Sequence, residues 1–288
     1  MERLGVGRAM GQQRRHRGRA AAATAATAAA MGLMALTTGC VGGGAAASDD
    51  PAARDPAGTV RGAADSLMRA GSSKARTSME MASGGTRVTV TGEGTYDFRR
   101  RLGRLDVVLP QDPAGSSAER RPPVTELMSD GDLYMKNRGA GVPADKWVHI
   151  ETASLSDGNL VTGGATDPLV AAELLRGARR VTFVERTRVD GVDVAHYRGV
   201  ADLARAARPA SKEHGPALRA AAGKGFSRAG VPFDAYLDEE GRLRKVRHRF
   251  KVSNGTVAST TSLSGFGAPV DVTLPAGKDI FAGKIAER

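Results

Sequence analysis

The chain has 288 residues, room for one large β domain plus processing segments, and its 7 Phe, 4 Tyr and 1 Trp leave any core mainly aliphatic. A single Cys excludes an internal disulfide, a multi-Cys zinc site and a Cys-ligated iron–sulfur cluster. The five His (His16, His149, His196, His214, His248) are scattered without metal-ligand spacing, so no metal or other cofactor is expected. Of the net charge of +11, Arg3, Arg8, Arg14, Arg15, Arg17 and Arg19 against Glu2 account for +5, leaving +6 on the remainder.

The basic stretch to Arg19, the uncharged run Ala20–Leu36 and the small residues Thr37-Thr38-Gly39 read as a secretory signal over 1–39. A run of Ala and Thr makes a poor permanent membrane span. Cys40, directly after Gly39, resembles a bacterial lipobox, in which the thiol is diacylated with palmitate-type chains and becomes the mature N-terminus. Thr37 departs from that pattern, where Leu is usual. The other readings are a secreted protein with a free thiol and a plain membrane anchor. Arg14-Arg15 leaves Sec and twin-arginine export both open. Residues 40–58, with Gly42-Gly43-Gly44, Pro51 and Pro56, hold little to bury and read as a flexible tether.

The folded body is expected over 59–288. A short helix fits Val60–Ala70, with Val60, Ala63, Ala64 and Leu67 at helical spacing. Turn pairs then punctuate the chain at Gly84-Gly85, Asp130-Gly131, Asp190-Gly191, Glu240-Gly241 and Asn254-Gly255, as in a hairpin-rich sheet. Alternation puts Met79 with Met81, Val88 with Val90, Leu105 with Val107 and Leu109, and Leu133 with Met135 on shared faces. It does the same for Val181 with Phe183, Val192 with Val194, Val231 with Phe233, Ala235 and Leu237, and Val246 with Phe250 and Val252. Helical segments are predicted at Asp167–Arg179, opened by Asp167-Pro168, and at Ala201–Ala222, split near Pro209 and Pro216. The fold class is α+β: one curved antiparallel half-barrel with helices on its concave face.

Several strings in this order resemble the LppX/LprG-type actinobacterial lipoproteins, which have a LolA/LolB-like fold. They are Asp130-Gly131-Asp132-Leu133-Tyr134-Met135-Lys136 followed by Lys146-Trp147-Val148, then Val189-Asp190-Gly191-Val192 leading to Ala195-His196-Tyr197. The third runs Val231-Pro232-Phe233-Asp234-Ala235-Tyr236-Leu237 into Asp238-Glu239-Glu240-Gly241-Arg242-Leu243. A preference for Arg over Lys, with abundant Ala and Gly, fits a high-GC actinobacterial genome. The resemblance covers roughly 60–285 and implies an apolar cavity that takes the acyl chains of a lipid or glycolipid, in an exported protein anchored to the outer face of the cytoplasmic membrane. Strand parity nominates Met79, Met81, Val88, Val90, Leu105, Val107, Leu133, Met135, Leu174 and Phe183 as its lining.

Lys245, Arg247, Arg249 and Lys251 alternate along one strand, either as a row for anionic headgroups or as a solvated face. His248, on the opposite face, reads as a structural histidine. Arg99, Arg100, Arg101 and Arg104 mark a basic hairpin tip. Trp147 is expected to pack at a sheet edge. Nucleic acid is disfavoured by the export signal and the few stacking residues. No GxSxG, SxxK or grouped Ser, His and Asp points to catalysis, so no enzyme is expected. The competing reading is a surface lipoprotein with a filled core that engages an envelope protein partner.

Overall fold

A computed structural model describes residues 50–283 apart from 84, 111–121, 140, 163–164 and 254. Cys40, the signal segment and the first part of the tether lie outside the described residues, as do the expected turn positions Gly84 and Asn254. Residues Ala47–Arg288 form one compact unit.

Among the described residues this unit has eleven strands: β1 (Ser72–Ser83), β2 (Thr86–Asp97), β3 (Leu102–Val108), β4 (Val124–Ser129), β5 (Asp132–Lys136), β6 (Trp147–Glu151), β7 (Ala178–Val189), β8 (Val192–Ala201), β9 (Val231–Leu237), β10 (Leu243–Val252) and β11 (Gly255–Ser264). They make one antiparallel sheet in the order β6-β5-β4-β3-β2-β1-β11-β10-β9-β8-β7. The chain steps outward from β1 to β6, crosses to β7, and returns strand by strand until β11 pairs with β1, with Met79 opposite Ser259. The sheet is open, with β6 and β7 at its edges. Asp-Gly chemistry sets two of the hairpins. Asp130 and Gly131 (φ 47° and 92°) and Asp190 and Gly191 (φ 49° and 79°) are all left-handed, the geometry that matches strand twist.

The helices are α1 (Pro56–Arg61), α2 (Ala63–Ala70), α3 (Pro168–Leu174), α4 (Leu203–Ala206) and α5 (Gly215–Gly223). They cover one face of the sheet, where Met79, Val90, Leu105, Leu133, Phe233 and Phe250 join Val60, Leu67, Leu169 and Leu174 in one core. Every core member lies between Val60 and Leu263, so Ala47–Arg288 contains its own hydrophobic centre. β2 comes very close to β3. A Cβ at Gly94 would stand 1.8 Å from the Arg104 carbonyl oxygen, so only glycine fits there.

Trp147 packs at the sheet edge, as expected. It forms a parallel bridge with Ile280, and its carbonyl accepts from the Phe281 amide at 2.8 Å, which covers β6.

Four features differ from the sequence expectation. First, residues 50–58 belong in part to the fold rather than to a tether: Arg186 donates twice to Asp50 at 2.9 Å, and the Asp55 carboxylate caps α1 through the Gly58 amide at 2.8 Å. Second, the helix expected at Val60–Ala70 is two helices joined at Gly62. Third, the helix from Asp167 ends at Leu174 in a 3-10 turn, because Ala178 already opens β7. Fourth, β8 contributes Ala195 and Tyr197 to the core, whereas Val194 is buried on the other face beside His196; the bulges in β7 shift which residues of that strand face inward. Leu109 lies beyond β3 and is exposed.

Candidate functional site

The helix-covered face of the sheet is the candidate site. Met79, Val90, Leu105, Val107, Leu133, Met135 and Leu174 are buried in the core there, with Met81 and Phe183 half-buried against it. Val88 is half-buried and stands outside the core cluster. Cys40 lies outside the described residues.

Parity placed His248 on this face as a satisfied structural histidine, but its Nε2 has no partner among the described residues, and parity missed three further polar groups there. Glu126 sits between Leu105 of β3 and Met135 of β5, is fully buried, and neither carboxylate oxygen has a hydrogen-bond partner among the described residues. Burial raises its carboxyl to about 8, so at neutral pH it is largely a neutral acid. Ser73 Oγ, Thr261 Oγ1 and His248 Nε2 are likewise buried without partners. Parity puts each on the core face, with Ala75, Leu263 and Phe250 respectively. Burial also holds His248 down to about 3, in the neutral form. The available signal was positional: Glu126 alternates with Val124 and Met128, a carboxyl on an otherwise apolar stripe.

The cover mixes alanines with larger side chains such as Leu67, Leu169, Leu174 and Leu218. Ala63 and Ala64 on α2, Ala171 and Ala172 on α3, and Ala206 and Ala207 at the end of α4 are core members. The loop before α3 is pinned by Asp157, which accepts from the Val161 and Thr162 amides, and by a Thr166–Ser259 hydroxyl pair at 2.8 Å. One pocket between the β4–β5 turn, this loop and His214 has a volume of about 20 Å³. That is room for about one water and not for an acyl chain.

A buried polar cluster locks the cover. Asp167 caps α3 through the Leu169 and Val170 amides and accepts from the Tyr96 hydroxyl at 2.9 Å. His214 Nδ1 lies 3.2 Å from Glu173, which also accepts from the Ser211 amide. Burial alone would raise the Glu173 carboxyl and lower His214. The hydrogen bond between them, with the charges around it, overcomes this, holding Glu173 low and His214 high. Burial, reinforced by Asp167, pushes the Tyr96 phenol well above its usual range. The cluster ties α3 to the segment before α5 and to β2.

The basic features of the sequence are engaged in part within the fold. Arg249 pairs with Asp234 at 2.8 Å and Arg247 with Glu80 at 3.1 Å, while Lys245 lies 5.8 Å above the Tyr236 ring. Asp234 also pairs with His196 and Arg198. Burial works against the Asp234 charge, but bonds from His196, Arg198 and Arg249 hold its carboxyl below the usual range. At the basic tip, Arg99 donates to the Met68 and Arg69 carbonyls at the end of α2, Arg101 meets Glu213 at 3.2 Å, and Arg104 meets Asp106. Among the described residues no helix is long and apolar enough to cross a membrane.

No family model matches the chain, and no curated protein does. Among solved structures it is similar to the Mycobacterium tuberculosis lipoprotein LppX, at 12% identity and TM-score 0.47, over 78% of this chain and 100% of that one. It is also similar to LprF from Mycobacterium bovis, at 14% identity and TM-score 0.39, over 77% and 98%. A putative outer membrane lipoprotein-sorting protein domain from Vibrio parahaemolyticus matches at 10% identity and TM-score 0.30, over 74% and 95%. LppX and LprF are of the type that the sequence strings resemble.

Proposed function

We propose that the chain is an exported envelope lipoprotein, anchored through Cys40, that carries an acylated lipid or glycolipid between its sheet and its helical cover without covalent chemistry. The observation that carries this reading is the set of unpaired polar groups on the core face: Glu126, Ser73, Thr261 and His248. A permanently filled apolar core gains nothing from them, because each buried group without a partner costs about 1–3 kcal/mol. A ligand with an ester, amide or hydroxyl group beside its acyl chain would supply the missing partners. Each acyl methylene buried under the cover would contribute about 0.8 kcal/mol.

Among the described residues the pocket beside His214, at about 20 Å³, is too small for an acyl chain, an observation that favours a second reading, the protein-interaction module. A fluorescent acyl probe separates the two. The carrier reading expects saturable binding to residues 47–288, lost on Val107→Trp, which would fill the core beside Val124. A folded protein that leaves the probe unbound contradicts it.

A further inference from the structure

The segment between β8 and β9 is rich in exposed cations with almost no acid beside them. From Leu203 to Gly230 it contains Arg205, Arg208, Lys212, Arg219, Lys224 and Arg228 against a single acid, Glu213. All six cations are exposed. Residues 242–270 are as basic, with six cations and no acid, but Arg242 and Arg244 pair with Asp238, Arg247 with Glu80 and Arg249 with Asp234.

On the outer face of the sheet, several arginines are met by acids: Arg76 by Glu93, Arg188 by Asp193 and Arg247 by Glu80. In the stretch between β8 and β9, among the described residues, only Lys212 has a carboxylate in reach. That partner is Glu213 at 3.7 Å, which also binds Arg101. Arg205, Arg208, Arg219, Lys224 and Arg228 form no ion pair among the described residues. Arg208 and Arg219 flank an open groove of about 540 Å³ lined also by Ala204, Ala207, Ala222 and Gly223. Two guanidinium groups above an alanine floor suit a phosphate with apolar carbon next to it, because the guanidinium fork matches phosphate oxygens.

We infer that this face of α4 and α5 docks on the surface of an anionic phospholipid bilayer, with a lipid phosphate seated between Arg208 and Arg219. Charge complementarity selects the partner. A nucleic acid is a poorer fit, because the stretch has one aromatic ring for stacking, Phe226, and that ring is half-buried against Phe250 at 5.6 Å. The inference rests on charge placement and is independent of any lipid carried inside. Docking in this orientation would hold part of the helical cover against the membrane.

The test uses residues 47–288, which contain their own core, and vesicles of phosphatidylglycerol or phosphatidylcholine at about 0.1 M salt. Binding is expected to phosphatidylglycerol and not to phosphatidylcholine, and to weaken as salt rises. The variant Arg205→Gln/Arg208→Gln/Arg219→Gln should lose about 100-fold in partitioning, at about fivefold per basic residue near an anionic surface. Arg76→Gln/Arg188→Gln/Arg247→Gln, which removes the same charge from the sheet face, should retain binding. Equal loss in both variants would mean that net charge alone acts and would overturn the assignment, as would no preference for the anionic vesicles. Vesicle binding that persists in a protein unable to bind the acyl probe would refute the carrier reading alone.

Discussion

Glu126 is the residue on which the account leans most. Replacing it with Leu removes a buried carboxyl that has no partner, so Glu126→Leu should raise unfolding free energy by about 1–3 kcal/mol in urea titrations. A loss of stability would mean that the carboxyl has a partner in solution. Its pH dependence has a definite sign. Burial raises the carboxyl from 4.5 to about 8, so the folded state keeps a proton that the unfolded chain releases. Its contribution to stability is full below about pH 4.5 and is lost as pH rises to about 8. His248 has the opposite sign: it is held at about 3 rather than 6.5, so stability is lost as pH falls across that window. Glu126→Gln should therefore abolish the decline between pH 5 and 8 and leave the acid limb in place; an unchanged alkaline decline would count against a buried neutral acid.

At the scale of elements, the strands were legible because a period of two survives wherever one face is buried, as at Leu105 and Val107 or Leu133 and Met135. β8 was not. Val192 and Val194 are the more apolar pair, yet the register of β8 against β9 directs Ala195 and Tyr197 inward, which local hydrophobicity does not encode. The start of α3 was legible from Asp167-Pro168, whereas its partners Tyr96 and, through Glu173, His214 come from distant elements and leave no local signal. Asp167→Ala removes the acceptor for two helix amides and for a buried phenol. The expected cost is about 2–4 kcal/mol in denaturant titrations, and a cost that Tyr96→Phe does not partly absorb would separate the two roles. Gly94→Ala should prevent native pairing of β2 with β3, since the new Cβ would overlap the Arg104 carbonyl. Unchanged thermal stability there would contradict the close approach of the two strands.

For the whole molecule, the sheet is open, short helices cover one of its faces, and a run of exposed cations without acid partners among the described residues sits on one segment of that cover. The antiparallel sheet and the core-facing parity of most of its strands were readable in advance because hairpin chemistry and alternation are local. The partners of the polar groups on the core face and of the cations on the cover were not, because they depend on which strands and helices come together across the fold. The central claim is that the interior exchanges its own packing for an acyl ligand. Native mass spectrometry of residues 47–288, purified without detergent from a lipid-rich bacterial host, tests this most directly. The account predicts a stoichiometric acylated lipid that is absent from Val107→Trp; a protein free of lipid that also remains unliganded when offered a panel of lipids would contradict it.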